Sequence, residues 1–180
     1  MEVAPNLHIV YIHAGPPTYI HRDKLFPYLQ NFTTQIEPSD YDIVFTNYWL
    51  SGYVGLQTGL PHVHTHHSLG KIKYGSMSQD LWPGIAPIRL AMEKQLNHAC
   101  DLIFNLNKAE KQLTKQRKSI IAPIGINVEL FTKYNSKMSA KRQLGFSTDV
   151  VQILYVGRFA EQKGVMYALE AMKKPILPIR

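Results

Sequence analysis

A single cysteine, Cys100, in 180 residues leaves no internal disulfide possible, and without a second cysteine no thiolate zinc cluster can form. The chain therefore fits a reducing compartment, and Cys100 reads as a packing residue. Acidic side chains are scarce too: 13 Asp and Glu stand against 20 Lys and Arg, a formal net charge of +7. That excess favours anionic partners, whether nucleic acid, membrane headgroups or phosphorylated small molecules, and does not choose among them. No apolar run approaches the roughly 20 residues needed to cross a bilayer. Met1 to Gly15 lacks the charged segment and apolar stretch of a secretory leader. The expectation is a cytoplasmic chain with no transmembrane segment. Internal repeats and low-complexity tracts are also missing.

What is present is a globular composition, 45% hydrophobic and 18% charged, with length enough for a sizeable core and, on length alone, about one domain. Apolar runs of strand length recur at Leu7 to Ile12, Asp42 to Thr46, Pro61 to Thr65, Asp101 to Leu106, Ser119 to Ala122 and Val150 to Val156. Between the third and fourth, Ile85, Ile88, Met92, Leu96 and Ala99 mark one helical face. Asn107 followed by Glu110 predicts a capped helix start, and Val165, Leu169 and Met172 predict a last helix. Strands that alternate with helices and are apolar on both faces describe a parallel sheet covered on both sides, an α/β fold. The stretch 133–148 has no clear apolar period and reads as a linker with one helical turn. Residues 1–132 then form a first domain, and 149–180 begin a second.

The sixth run leads into the densest chemistry. Gly157 lets the chain turn after Val156, Arg158 and Lys163 lie on the loop, and a helix starts near Lys163 or Gly164. Ligands of open α/β sheets bind beyond the carboxyl ends of strands, and a helix start offers free amides to an anion. Two cations there suit a diphosphate, Arg as a fork and Lys as a point charge. The alternative is a pair of solvated loop charges.

The stretch HVHTHHSLGKIKYG, residues 62–75, holds His62, His64, His66 and His67. In an extended strand the first three share a side. Such a pattern is open to four readings: a zinc site, for which no third ligand is evident in the sequence; a proton relay; the end of a strand that meets a charged ligand; or, for several of the histidines, ordinary packing and surface positions. His67 stands where the strand gives way to Ser68, Leu69 and Gly70, on the rim where ligands meet such a sheet. Lys71 and Lys73 follow. A separate basic stretch, KAEKQLTKQRK at 108–118, could suggest a nucleic-acid surface, but it lacks the interleaved aromatics of single-strand recognition. It reads better as one solvated helix face.

The stretch VVQILYVGRFAEQKGVMYALEAM resembles the opening of the nucleotide-sugar domain of glycosyltransferase family 4: a strand, Gly-Arg, four residues, then Lys-Gly. YDIVFTNYWLSGYVGL resembles the family's His-Tyr-Trp helix opening, HTHHSLGKIK its His-Ser/Thr-Leu-Gly segment, and PIGINVELF its Pro-x-Gly-Val-Asp segment. AGP at 14–16 and the pair Arg89 and Glu93 also have counterparts, so nearly the whole chain is covered. The flavour is that of the branch acting on phosphorylated acceptors, the sucrose-phosphate synthases and inositol-phosphate glycosyltransferases.

The resemblance implies a Rossmann-like sheet within a partial GT-B architecture, comprising most of the N-terminal domain and the first strand and helix of the C-terminal one. It implies a retaining glycosyltransferase that moves a sugar from a nucleoside-diphosphate sugar to a sugar or sugar-phosphate acceptor in a cleft between two domains. No metal or other cofactor is required, because cations take the metal's role, and nucleic acid is not a partner. The catalytic residues would be His67, Arg158 and Lys163; Gly157, Arg158, Lys163 and Gly164 would bind the donor, and Lys73, Asn107 and Tyr48 the acceptor. Asn47 stands where His is usual, Asn107 where Ser or Thr is common, Ile124 is unusual within the Pro-x-Gly segment, and Asn127 replaces Asp. The family's first strand, its Gly-rich loop and a later pair of Glu residues have no counterparts, and the tail KKPILPIR is unusual. The expectation is therefore an incomplete chain of weak stability, inclined to associate through an exposed edge of its second domain. A non-catalytic sugar-phosphate-binding remnant, or half of a split enzyme, is the alternative.

Overall fold

The structure, a computed structural model, describes residues 1–75, 77–115, 118–131, 136–159 and 163–173. The end of the basic stretch at 116–117, the start of the linker at 133–135, the loop at 160–162 and the tail at 174–180 lie outside the described residues. The chain divides into two compact units, Met1–Gly125 and Ile126–Arg180.

The first unit is built on a parallel sheet of four strands, β3 (Val44–Asn47), β4 (His62–Thr65), β5 (Leu102–Asn105) and β6 (Ser119–Ile121), adjacent in that order. Its register is set by pairs such as Thr46 with His64 and His64 with Ile103. Four of the six apolar runs thus become its strands, each followed or preceded by a helix that returns the chain, as parallel pairing demands. The helices are α1 (Leu29–Thr33), α2 (Tyr48–Gln57), α3 (Gly70–Gly75), α4 (Ala86–Ala99) and α5 (Lys108–Thr114). Trp49, Met92, Leu96, Cys100 and Ile103 form the core cluster. Helix α2 approaches that core very closely: a Cβ on Gly52 would lie 2.6 Å from Leu96 Cδ1, and one on Gly55 would lie 2.7 Å from His62 Cε1.

The expected strand at Leu7 to Ile12 is not part of this sheet. Only Leu7–His8 (β2) is paired, antiparallel to Glu2–Ala4 (β1). Pro5 with its fixed φ and Asn6 at φ +65° meet the needs of a type II turn, so a local hairpin closes first, joined further by Ile9 N–H to Met1 O at 2.8 Å. Short loops close at little entropic cost.

The buried stripe of α4 also differs from the one expected. Met92 and Leu96 are buried, but Ile88 is 41% exposed while Arg89 and Glu93 are 2% and 4% exposed. The pair takes apolar positions because its charges and donors are satisfied there, as described below.

In the second unit, α6 (Lys137–Gln143) is two turns long rather than one. Ser136 caps it by accepting from Ser139 N–H at 3.1 Å, and Gly145 at φ +73° follows it. Helix α7 (Val165–Met172) forms as its apolar spacing predicts. The expected strand Val150 to Val156 does not: these residues pair with nothing as a strand, and Val151, Leu154 and Val156 are largely exposed. A strand exists only through its ladder partner, and among the described residues of this unit there is no other strand.

Candidate active site at the strand ends

At the carboxyl ends of β3 and β4 the backbone takes a conformation uncommon for residues with a side chain. Tyr48, which opens α2, has φ +73°, and His67, two residues beyond β4, has φ +55°. Left-handed non-glycine residues carry a conformational cost and cluster where geometry serves a function. Here they turn the two chain segments toward each other. The Asn47 Oδ1 atom accepts from His67 Nε2–H at 2.7 Å, which sets the His67 tautomer and leaves Nδ1 to meet a ligand. The position where His is usual in the family is therefore occupied by the residue that orients His67. Because the Asn47 side chain is so engaged it does not cap α2, and Ser51 Oγ accepts from Asn47 N–H instead at 3.0 Å.

The loop bearing His67 is held from below by Arg89 and Glu93. Arg89 Nε donates to Glu93 Oε1 at 2.6 Å, Nη1 to the Tyr48 hydroxyl at 3.1 Å, and Nη2 to Ser68 O at 2.5 Å and Ser68 Oγ at 3.2 Å. Both Glu93 oxygens accept from Gly70 N–H, at 2.9 and 2.8 Å. The guanidinium also lies 4.9 Å from the centre of the Tyr48 ring and 5.7 Å from that of Tyr74. Burial pushes the Glu93 carboxyl above its ordinary range, opposed by the Arg89 guanidinium and the Gly70 amide. Burial works against the Arg89 charge, but Glu93 outweighs it and keeps the guanidinium protonated. Lys73, in the last turn of α3, lies with its Nζ 5.5 Å from the centre of the Tyr74 ring. Tyr48, His67, Ser68, Arg89 and Lys73 are thus linked through one loop and its supports.

The other histidines do different work. His62, His64 and His66 are all buried, and their rings join a hydrogen-bonded chain whose sense follows from its end. Asn97 Oδ1 accepts from His66 Nε2 at 2.9 Å, so His66 Nδ1 accepts from His64 Nε2 at 3.3 Å. His64 Nδ1 then accepts from the Thr46 hydroxyl at 2.7 Å, and that oxygen accepts from His62 Nε2 at 2.6 Å. The Cys100 thiol, 3.5 Å from His62 Nδ1, completes the line as donor. Burial drives His64 down to about 2, reinforced by His66, His62 and His67. Burial also lowers His62, against Asp101, and His66, against the Asn97 hydrogen bond and Glu110. It pushes the Cys100 thiol up to about 12. The three rings are neutral core groups whose nitrogens are taken up by one another and by Thr46, Asn97 and Cys100. Among the described residues no group of three His, Cys, Asp or Glu is arranged to hold a metal ion.

Asn107 lies at the start of α5, one strand further along. Its Oδ1 accepts from Glu110 N–H at 2.8 Å while Glu110 Oε2 accepts from Leu106 N–H at 2.5 Å, a reciprocal cap. The neighbouring Asn105 accepts from Thr114 at 3.0 Å, and its Nδ2 is buried without a partner among the described residues. In the basic stretch, Lys111 Nζ donates to Ser119 O at 2.9 Å, so part of its charge is tied to the fold.

Gly157, Arg158, Lys163 and Gly164 belong to the second unit. The turn at Gly157 is braced by the Tyr155 hydroxyl, which donates to Arg158 O at 2.8 Å and would sit 3.1 Å from a Cβ at Gly157. Gly164, at φ +67°, caps α7 in the left-handed region, where a glycine carries no steric cost. Arg158 and Lys163 are exposed, and neither is in an ion pair among the described residues.

Sequence reading alone had not assigned roles to Ser68, Thr46 and Asn97. Arg89 and Glu93, named in the sequence only through the family resemblance, stand one helical turn apart beside the apolar positions of α4, and that spacing is the signal by which their buried pairing could be found.

Comparison with known proteins places these features in a family. The sequence pattern of Glycosyltransferase Family 4 matches residues 2–130. The D-inositol 3-phosphate glycosyltransferase of Frankia alni is 31% identical over 94% of this chain and 46% of its own length. That of Geodermatophilus obscurus is 29% identical over 95% of this chain and 41% of its own. The chain thus spans less than half the length of these curated relatives. Among solved structures, a sucrose-phosphate synthase from Thermosynechococcus elongatus superposes with a TM-score of 0.55 at 26% identity, covering 81% of this chain and 77% of that one. The α/β sheet is accordingly Rossmann-like, a part of a GT-B architecture.

Proposed function

The chain belongs to Glycosyltransferase Family 4, and from that premise we propose that it serves the transfer of a sugar from a nucleoside-diphosphate sugar to a phosphorylated acceptor, with retention of anomeric configuration. The observation that carries this reading is the rim at the ends of β3 and β4, where His67 is oriented by Asn47, the Tyr48 and Ser68 hydroxyls are held by the buried Arg89, and Lys73 on α3 lies beside the Tyr74 ring. Such a rim offers charge and hydroxyl donors to a phosphate and a ring nitrogen to a sugar hydroxyl. The names of the relatives, a glycosyltransferase of inositol 3-phosphate and a synthase whose product is sucrose phosphate, support a phosphorylated acceptor.

In the transfer, the bond from the anomeric carbon to the diphosphate oxygen breaks as the acceptor hydroxyl oxygen bonds to that carbon, and the hydroxyl proton passes to the leaving diphosphate. Negative charge grows on the leaving diphosphate. Arg158 and Lys163, exposed and outside ion pairs among the described residues, supply positive charge suited to those oxygens, and groups aimed beforehand at developing charge lower the barrier. Gly157 and Gly164 let the backbone of that loop turn and start α7. No metal is needed for this step. A phosphate contact from Lys73 would be worth about 1.5 to 3 kcal/mol.

The test is product formation from radiolabelled UDP-glucose or GDP-mannose with inositol phosphates as acceptors, together with calorimetric binding of UDP and GDP. Equal binding of both nucleotides after Arg158→Ala and Lys163→Ala would overturn the donor assignment. A second reading draws on the Tyr48 and Ser68 hydroxyls and Lys73 at the rim: a sugar-phosphate-binding module without turnover. Binding without turnover supports that reading.

A further inference from the structure

Behind the loop that carries His67, α3, α4 and the end of α5 enclose a cleft of about 560 Å³. This volume lies within the range of small-molecule sites. Lys71, Lys94 and Lys115 line it from three different elements, and none of them is in an ion pair among the described residues. Leu90 and Leu113 supply apolar wall. The one carboxylate among the described residues that line the cleft, Glu93, already faces the Arg89 guanidinium at 2.6 Å and the Gly70 amide. Asn97 also lines the cleft; with its Oδ1 accepting from His66, the group it can offer a ligand is the Nδ2 donor. The cleft is therefore rich in donors and positive charge, with its single acid neutralised, and it has an apolar side.

We propose that this cleft binds a small organic phosphate, a phosphate group carried on a body with an apolar face, at a site separate from the rim of Tyr48, His67 and Lys73. Phosphate oxygens meet the lysines, with Asn97 Nδ2 as a further donor, while the body lies against Leu90 and Leu113. The cleft shares two residues with the supports of the His67 loop. Asn97 holds His66, the residue before His67, and Glu93 holds Gly70. Occupancy consequently bears on that loop from behind. The inference does not rest on the transferase reading and stands if that reading fails.

The experiment is titration of the ¹⁵N-labelled chain with phenyl phosphate, followed by amide chemical shifts, with inorganic phosphate and phenol as comparison probes. Saturable shifts in α4 around Leu90 to His98 and around Leu113 to Lys115 are expected, with phenyl phosphate binding more tightly than either probe. The double variant Lys94→Glu/Lys115→Glu should weaken binding at least about tenfold, the effect of roughly 1.4 kcal/mol. Lys73→Ala should leave it unchanged. If the double variant loses its dispersed spectrum, Lys71→Glu alone is used and the same direction is expected. Shifts confined to the surroundings of Lys73 or Arg158, undiminished affinity in the charge-reversed variant, or phenyl phosphate binding no better than inorganic phosphate would each overturn the proposal.

Discussion

Arg89 divides one guanidinium among Glu93, Tyr48 and Ser68, so its removal would strand the buried Glu93 carboxylate and release two further contacts. Arg89→Met should destabilise the first unit by about 3–5 kcal/mol, because an unpaired Glu93 charge remains in the core. Urea denaturation reads this directly. The double variant Arg89→Met/Glu93→Leu should recover most of the loss, since replacing a whole buried pair by packed apolar groups is often neutral; no recovery would mean that the pair does more than satisfy itself. The neutral histidines give a second prediction at this scale. Their folded pKa values are lowered, His64 to about 2, so below an ordinary value of about 6.5 the unfolded chain binds protons that the folded chain refuses. Stability is then fully present above that pH and falls as the pH drops, with a limiting slope of about 1.4 kcal/mol per pH unit for each ring. Denaturation midpoints at pH 7.5 and 5.5 should differ accordingly, and a flat profile would refute the neutral chain. The residues that form it were visible as a run of histidines, but its sense was not, because Thr46 on β3 and Asn97 and Cys100 at the end of α4 are far from them in sequence and are brought to β4 only by the fold.

Among the elements, α5 was legible and the strand expected at Val150 to Val156 was not, and the difference is one of range. A cap is a contact between residues three apart, so Asn107 and Glu110 announce it in sequence. Asn107→Ala should cost about 1 kcal/mol, and a midpoint unchanged within error would assign the Asn107 Oδ1 contact no stabilising role. A strand instead needs a ladder partner from elsewhere, and apolar character alone cannot say whether one exists. Helix α2 shows a further limit. Its glycines at 52 and 55 suggest a weak helix by propensity, yet they are what allows α2 to lie against Leu96 and His62. Gly52→Ala should therefore destabilise by about 1–3 kcal/mol through overpacking, despite alanine's higher helix propensity. A stabilised Gly52→Ala protein would show that the close approach relaxes freely.

For the whole molecule, the free side of β3 governs behaviour in solution. Within the described residues β3 pairs only with β4, Ile43 and Phe45 are more than half exposed, and an apolar cleft of about 510 Å³ that includes both lies beside α1 and α2. An unpaired apolar edge is a template for association. Light scattering of the chain should show association that rises with concentration, and Phe45→Lys should suppress it; a monomer at all concentrations would contradict this. The four strands of the parallel sheet with the helices between them, the family and the capped start of α5 follow from the sequence by itself, because periodicity, caps and turn residues act over a few positions. The support of His67 by Asn47, Arg89 and Glu93, the sense of the histidine chain, the local hairpin in place of a first long strand and the lysine-lined cleft were decided only by tertiary structure. Each depends on groups far apart in sequence whose burial fixes which hydrogen bonds they must make.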